Sequence, residues 1–261
     1  MSATRIPIRG SRILLTGASG GLGIAIAEEL ARRGAHLLLT ARSQAVLEEL
    51  AERTGGEVVV ADLSDRADVE RLCGMLDDVD VLVANAGVGT DQPLGEITAQ
   101  DVDFCIDVNL RAPILLASEF AQRRLAAGRG GQIVMMGSLA GLAATPNTRL
   151  YNATKFGLRG FTLALRQDLE GTGIGVTLVA PGFIDTAGMF AENDVELPGY
   201  VRTKAPSNVA DTVARAIESD SAEVFVAPLE LTALAKFATM APGLSERMQR
   251  VIGTSRMTEG I

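Results

Sequence analysis

The chain has 261 residues, of which 47% are hydrophobic, and its 28 glycines follow no period. This length and composition suit one folded α/β domain and exclude a disordered or collagen-like chain. Lys and Arg number 24 against 32 Asp and Glu, so the net charge of −8 makes nucleic acid and anionic membranes poor partners.

In chain order, short β-branched runs alternate with longer amphipathic runs. This pattern predicts strands at 12–17, 36–41, 57–63, 79–87, 132–138, 175–182 and 223–228. It predicts helices at 22–34, 44–53, 65–76, 98–127 and 148–170, and a helix capped by Ser207 that ends near 219. Several strands are apolar at consecutive positions, as strands buried on both faces are. We therefore predict a doubly wound (Rossmann) parallel seven-stranded sheet with helices on both faces, in a single α/β domain covering 1–261.

Two regions break the alternation. Residues 183–206 are too long and irregular for a simple connection, and we expect a substrate loop or lid there, with a disordered surface loop as the alternative. The C-terminal helical extension, 230–261, begins with two predicted helices at 230–253 that Pro242 and Gly243 divide. Their apolar stripe favours packing on the core or on a second subunit over a membrane.

Histidine and cysteine are scarce, which limits the chemistry. The one histidine, His36, stands in an apolar run, so neither a metal site nor a Ser-His-Asp triad is expected. Cys73 and Cys105 form no CxxC motif and predict two buried thiols in a reducing compartment. The N-terminus lacks an apolar signal segment, and Gly, Pro and polar residues interrupt the uncharged stretch 130–148. We therefore expect a cytoplasmic protein without a membrane span.

A glycine-rich turn joins the first strand to the first helix. In LLTGASGGLGIAIAEEL, Gly17, Gly21 and Gly23 allow the backbone to approach a pyrophosphate, which the free N–H groups at the helix start attract. The alternative is a purely structural turn. A GK[ST] sequence is missing, which excludes a nucleotide-hydrolysing P-loop.

The end of the second strand predicts which dinucleotide binds. An acidic residue there would bind the ribose 2′-hydroxyl of NAD, but this chain has Ala41 followed by Arg42 and Ser43. An arginine can pair with the 2′-phosphate of NADP, and Ser43 can add a hydroxyl. We predict NADP(H) as the cofactor, with NAD(H) less favoured. The alternative is an exposed arginine at a helix start.

Several motifs occur together in a fixed order: TGASGGLG (16–23), Asp62-Leu63, NAG (85–87), DVNL with Asn109, Ser138, YNATK (151–155) and PGFIDT (181–186). In this order and spacing the chain resembles the short-chain dehydrogenase/reductase family of the type with about 250 residues, over roughly residues 10–230. A single YxxxK motif is common by chance, whereas the ordered set is not. The resemblance implies an NADP(H)-dependent oxidoreductase that transfers a hydride between NADPH and a carbonyl or secondary alcohol.

The resemblance implies four catalytic residues: Asn109, Ser138, Tyr151 and Lys155. Tyr151 and Lys155 stand at i and i+4 on one helix face, so the ammonium group is expected to lower the pKa of the phenol. Tyr151 would then be the general acid or base. By the same resemblance, Lys155 binds the nicotinamide ribose, Ser138 orients the substrate oxygen, and Asn109 holds a water that completes a proton relay. The alternatives are surface packing for the Tyr/Lys pair and a cap for the serine.

The same resemblance implies a set of cofactor contacts that runs along the chain. Asp62 and Leu63 would flank the adenine, although Asp62 could instead be a charge at a helix N-terminus. The full set is Gly17, Ser19, Gly21, Leu22, Gly23, Arg42, Ser43, Asp62, Leu63, Asn85, Ala86, Gly87, Tyr151, Lys155, Pro181, Gly182 and Thr186.

The expected substrate pocket is mostly apolar, which favours a small-molecule ketone, aldehyde or secondary alcohol on a hydrophobic frame, with reduction as the preferred direction. Two alternatives remain: a non-catalytic NADP-binding regulatory or scaffold protein, and an epimerase or dehydratase. We expect a homodimer or homotetramer formed through helices 98–127 and 148–170. The expected pocket residues are Leu139, Ala140, Leu142, Ala143, Asn147, Phe183, Met189 and Phe190.

Overall fold

The structure is a computed structural model that describes residues 6–89, 93–185, 202–219 and 221–252, with side chains described as far as 247. Its strands form one sheet. They are β1 (Arg12–Thr16), β2 (His36–Ala41), β3 (Glu57–Val60), β4 (Val81–Ala84), β5 (Gly131–Met136), β6 (Ile174–Pro181) and β7 (Glu223–Val226). All pairs are parallel, and the order is β3-β2-β1-β4-β5-β6-β7. The prediction of a doubly wound seven-stranded sheet is confirmed.

Helices follow most of the strands, and two more close the described part of the chain. They are α1 (Gly21–Arg32), α2 (Gln44–Thr54), α3 (Arg66–Cys73), α4 (Ala99–Ile106), α5 (Ala112–Ala126), α6 (Arg149–Asp168), α7 (Pro206–Glu218), α8 (Leu229–Met240) and α9 (Pro242–Ile252). The last two helices, α8 and α9, stand in the segment 230–253 where the sequence predicted two helices. Pro242 begins α9, a position that needs no helical N–H donor. None of the described helices is long and apolar enough to cross a bilayer.

Side chains alternate along each strand between two hydrophobic layers. Ile13 and Leu15 of β1 pack with α1, α2 and α7 on one face of the sheet, whereas Leu14 packs with α3, α5 and α6 on the other. Every residue of β4, β5 and β6 is buried. Helices on both faces therefore explain the consecutive apolar positions in the sequence. The carboxyl ends of all seven strands meet at one edge of the sheet, and the strand order switches between β1 and β4, with β2 and β3 added on one side and β5 to β7 on the other.

Three sequence-based predictions about elements are wrong in detail. The helix predicted at 98–127 is two α-helices joined by a π-helical turn, Asp107–Arg111. Ser207 caps no helix, because α7 already begins at Pro206 and the Asn208 side chain accepts from the N–H of Ala205 (3.0 Å). The strands predicted at 57–63, 79–87 and 223–228 end three or two residues early, where the chain turns into the loops at the sheet edge.

Candidate active site

The glycine turn between β1 and α1 is shaped so that only glycine fits at two positions. Gly17 has a φ of +65°, and a Cβ added there would lie 2.7 Å from Ala86 Cα. A Cβ at Gly23 would lie 2.0 Å from the Gly17 carbonyl oxygen. The first turn of α1 carries no side-chain cap and no acidic residue, so its N–H groups remain available for an anion. Gly21 stands in this first turn, where a pyrophosphate would bind.

Ser19 and Leu22, two further predicted contacts, lie in the same turn. Both are half-buried, and the Leu22 side chain packs against the core. Leu22 can therefore offer a ligand only its backbone, whereas Ser19 lies between Gly17 and Gly21 and is part of the turn itself.

Asn85 ties this turn to the end of β4. Its side-chain amide donates to the carbonyl oxygens of Thr16 and Gly17 (3.1 Å each). The Thr16 hydroxyl accepts from the backbone N–H groups of Asn85 (3.0 Å) and Ala86 (3.1 Å). The Asn85 side chain thus holds the turn, so the predicted contact of Asn85 with a cofactor would have to come from its backbone. Thr16 was missed by sequence reasoning, although it is the first residue of the TGASGGLG motif.

At the tip of β2, Arg42 is exposed and forms no ion pair with any described residue. Ser43 is the N-cap of α2, and its hydroxyl makes no capping hydrogen bond within the described part of the chain. A guanidinium and a hydroxyl next to a free helix N-terminus together suit a phosphate group. The structure places both predicted residues at the carboxyl end of β2, next to the N-terminus of α2.

Asp62 and Leu63 follow β3 at the same edge of the sheet. Asp62 Oδ1 accepts from the backbone N–H of Ser64 (2.9 Å) and from its hydroxyl (2.7 Å), which forms a tight turn. The residue that caps α3 is Asp65, so the alternative role of Asp62 as a helix N-terminal charge is wrong. The side chain of Leu63 is 7% exposed and packs in the core, which leaves little of it for an adenine.

Tyr151 and Lys155 lie in the first two turns of α6, beside the end of β5. Lys155 is 4% exposed, and its Nζ donates to the carbonyl oxygen of Met136 (2.8 Å). Its Nζ also lies 5.5 Å from the centroid of the Tyr151 ring. Ser138, two residues beyond β5, hydrogen-bonds to the Tyr151 phenol and accepts from the N–H of Ala140 (3.1 Å). The structure therefore brings these three predicted residues together.

Asn109 stands in the π-helical turn and is fully buried. Its Oδ1 accepts from the N–H of Val88 (2.7 Å), and its Nδ2 donates to the Val88 carbonyl (2.8 Å) and to Cys105 Sγ (3.4 Å). A Cβ at Gly87 would lie 3.4 Å from Asn109 Oδ1 and 3.6 Å from Lys155 Nζ. Asn109 therefore anchors the strand end that passes Lys155.

The charges at this site differ from the sequence-based prediction. Burial raises the pKa of Tyr151, and the hydrogen bond from Ser138 opposes that rise. Burial lowers the pKa of Lys155 to about 8, and the nearby Cys105 side chain acts in the opposite direction. Among the protein's own groups the pKa of the phenol is therefore raised, whereas the sequence predicted that the nearby ammonium group lowers it, because burial is the largest effect on the phenol.

The loop between Ser138 and α6 is held by Asn152, a residue that sequence reasoning missed. Its Nδ2 donates to the carbonyls of Ala140 (2.8 Å) and Ala143 (3.2 Å), and its Oδ1 accepts from the N–H of Thr145 (3.1 Å). Of the predicted pocket residues, Leu139, Ala140 and Ala143 are half-buried, whereas Leu142 is buried and faces the interior. Asn147 has a φ of +60°, the left-handed turn conformation that asparagine tolerates.

The end of β6 closes the site from the other side. Pro181 is buried, and a Cβ at Gly182 would lie 3.1 Å from Leu139 Cδ1, so this strand end passes close to the segment after Ser138. Phe183 is half-buried. Thr186, Met189, Phe190 and most of the lid predicted at 183–206 lie outside the described residues.

Comparisons with known proteins agree with this geometry. The model of the short chain dehydrogenase family matches residues 11–197. The 3-oxoacyl-[acyl-carrier-protein] reductase FabG of Escherichia coli is 34% identical over 74% of this chain and 81% of its own length.

Solved structures are similar as well. The bulky-bulky ketone specific alcohol dehydrogenase of Comamonas testosteroni has a TM-score of 0.75 at 26% identity and covers 93% of this chain and 95% of its own. A short-chain dehydrogenase of Sphingobium yanoikuyae in complex with NADPH has a TM-score of 0.74 at 27% identity, with the same coverage of 93% and 95%. This chain therefore belongs to the short-chain dehydrogenase family and is a dehydrogenase or reductase.

Proposed function

We propose that this protein is an NADP(H)-dependent carbonyl reductase that acts on a ketone or aldehyde with an apolar frame. The observation that carries the proposal is the meeting of Ser138, Tyr151 and Lys155 beside Gly87, at the same sheet edge as the glycine turn. A proton donor and a turn suited to a dinucleotide thus lie at one edge of the sheet.

The chain's own residues supply the proton and the orientation. In the free protein the Ser138 hydroxyl donates to the Tyr151 phenol. With a substrate bound, this one proton would turn to the carbonyl oxygen and leave the phenol proton free to be transferred to the same oxygen. Tyr151 donates its proton to that oxygen as the carbonyl carbon receives a hydride, which yields an alcohol and a phenolate. The hydride would come from bound NADPH, and the positive charge of the oxidised nicotinamide would favour the phenolate. Because burial raises the pKa of Tyr151, the phenol is kept protonated at neutral pH, which suits reduction.

The preference for NADP over NAD rests on Arg42 and Ser43. Both stand free at the tip of β2, and this tip carries no acidic residue that would bind a ribose 2′-hydroxyl. The pyrophosphate would lie on the N–H groups of the first turn of α1, where the positions at Gly17 and Gly23 leave no room for a Cβ. The related structure in complex with NADPH supports the same cofactor.

The substrate class follows from the wall after Ser138. Leu139, Ala140 and Ala143 present apolar groups next to the proposed acid. The names of the relatives, a 3-oxoacyl reductase and a bulky-ketone alcohol dehydrogenase, fit carbonyls on hydrophobic frames. Thr186 and the predicted lid would complete the site from residues beyond the described ones.

The proposal is tested with acetophenone, cyclohexanone and ethyl acetoacetate, each assayed by loss of NADPH absorbance, with NADH in parallel. We expect turnover of at least one of the three with NADPH, and a kcat lowered about 100-fold or more by Tyr151→Phe with NADPH binding retained. NADPH binding without turnover of any carbonyl would favour the non-catalytic alternative, and wild-type turnover by the variant would refute the acid role.

Compartment and assembly are part of the same proposal. Neither Cys73 nor Cys105 forms a disulfide and both are buried, which suits a reducing compartment such as the cytoplasm. Ile106 at the end of α4 and Phe156 on α6 are each 40% exposed. Large apolar side chains at these positions support a homodimer or homotetramer formed through these helices.

A further inference from the structure

One contact joins the C-terminal helix α8 to the loop after Ser138. The hydroxyl of Thr239 lies 2.8 Å from the carbonyl oxygen of Leu142, a residue 97 positions earlier, and 3.2 Å from the carbonyl of Ala235 in its own helix. A hydroxyl has one proton to donate, and the shorter distance favours the bond to Leu142.

Other contacts hold α8 in place, so that Thr239 is offered at a fixed position. Ala235 and Ala238 are buried on the inner face of the helix. Lys236 Nζ lies 4.7 Å from the centroid of the Phe225 ring in β7, a distance at which a cation and a ring attract. The helix is therefore fixed to β7 independently of the loop that Thr239 reaches.

Asn152 of α6 donates to the carbonyls of Ala140 and Ala143, which lie on either side of Leu142 in the loop. The carbonyl of Leu142 accepts instead from Thr239 of α8. The loop also presses on α6, because a Cβ at Gly141 would lie 2.8 Å from the carbonyl oxygen of Lys155. Asn152 and Thr239 together thus fix the loop from two sides, directly between the proposed catalytic residues Ser138 and Tyr151.

The family match gives α8 no role, because it ends at residue 197. We infer that Thr239 is a positioning residue that fixes the substrate wall at 139–143 and so tunes the affinity for bulky carbonyl substrates. This inference rests on the proposed carbonyl reductase function. Without the bond to Leu142, the wall occupies its competent position for a smaller fraction of the time, and the apparent affinity falls by that fraction.

The test compares Thr239→Val with Thr232→Val in the same helix. Both variants lose a hydroxyl and keep the branched shape, but among the described residues Thr232 donates to the carbonyl of Pro228 one turn earlier (3.2 Å) and not to the loop after Ser138. Thr239→Val should raise the KM for acetophenone about three- to tenfold, which is the size of one lost hydrogen bond. Its kcat and its dissociation constant for NADPH should stay within about twofold of wild type, and Thr232→Val should match wild type throughout.

Hydrogen exchange gives a readout that needs no turnover. Amides in 139–148 should exchange faster in Thr239→Val than in Thr232→Val, and Thr239→Ser should restore the slow rate because it keeps the hydroxyl. If the wild type reduces no carbonyl, the proposed function is wrong, and the exchange experiment still shows whether the hydrogen bond from Thr239 to Leu142 fixes the loop. Equal exchange and equal KM in the two valine variants, or a parallel loss of kcat and NADPH binding, would overturn the inference.

Discussion

At the scale of single residues, the site depends on groups whose ordinary behaviour is changed by burial. Lys155 is almost fully buried, and within the described part of the chain its ammonium group donates to one carbonyl oxygen, that of Met136. Tyr151 is buried beside it, and burial raises the pKa of its phenol, whereas the hydrogen bond from the Ser138 hydroxyl lowers that pKa in part. Desolvation disfavours the charged form of both groups. The phenol of Tyr151 therefore stays neutral to a higher pH, and the ammonium group of Lys155 loses its proton at a lower pH than in water.

This pair predicts the alkaline limit of the reaction. The lysine ammonium is present well below pH 8 and is lost as the pH rises through its pKa of about 8, whereas the phenol, whose pKa is raised, remains protonated there. We therefore expect kcat/KM for reduction with NADPH to fall as the pH rises through about 8. Initial rates at saturating NADPH from pH 6 to 10 measure this. A profile that is flat to about pH 10 would mean that the lysine titrates as it does in water.

Arg42 predicts the choice of cofactor at one position. Arg42→Asp removes the cation that would pair with the 2′-phosphate and supplies a carboxylate for a ribose 2′-hydroxyl. We expect the KM for NADPH to rise about 10- to 100-fold, the size of a charged hydrogen bond, while the KM for NADH falls or stays level. Arg247→Asp makes the same change of charge on exposed α9 and should leave both values at the wild-type level. An unchanged ratio in Arg42→Asp would remove Arg42 from the cofactor site.

At the scale of elements, the glycine turn shows how local geometry is dictated by a neighbouring strand. Gly17 is confined by the backbone of Ala86 beyond β4, and Asn85 fastens the same two segments by its side chain. The motif in the sequence indicated the turn and its ligand but not this clamp, because no spacing rule relates residues 69 positions apart.

Two glycine substitutions separate this constraint from ordinary helix propensity. Gly17→Ala should destabilise the fold by about 1–3 kcal/mol, because alanine is strained at a φ of +65° and its Cβ would meet Ala86. Gly160→Ala on α6 meets nothing within 4 Å and should stabilise by about 0.5–1 kcal/mol. Urea denaturation with and without NADPH measures both, and Gly17→Ala should also lose the stabilisation by NADPH. Equal midpoints for the two variants would contradict the clamp.

At the scale of the whole molecule, the order of motifs in the sequence was enough to predict the sheet and the meeting of Ser138, Tyr151 and Lys155. Parallel strands bring their carboxyl ends to one edge of the sheet whatever lies between them. The motif residues that follow these strands, from Thr16 to Gly182, are therefore predicted to lie close together. Periodicity could not show the π-helical turn that buries Asn109, since the apolar pattern continues through it. The bond from Thr239 to Leu142 was equally hidden, because it joins two segments that share no motif.

The proposed assembly can be tested on one exposed side chain. Ile106 is 40% exposed at the end of α4, and in a symmetric dimer formed by α4 and α6 it would be buried twice. Ile106→Lys would then place two like charges in an apolar interface, a cost of several kcal/mol that should shift the mass from light scattering towards that of a monomer. Leu94→Lys changes a residue that is 75% exposed before α4, outside both predicted interface helices, and should leave the mass unchanged. If the wild type is a monomer, or if both lysine variants keep its mass, the helices α4 and α6 do not form the interface and the exposed Ile106 and Phe156 are ordinary surface residues.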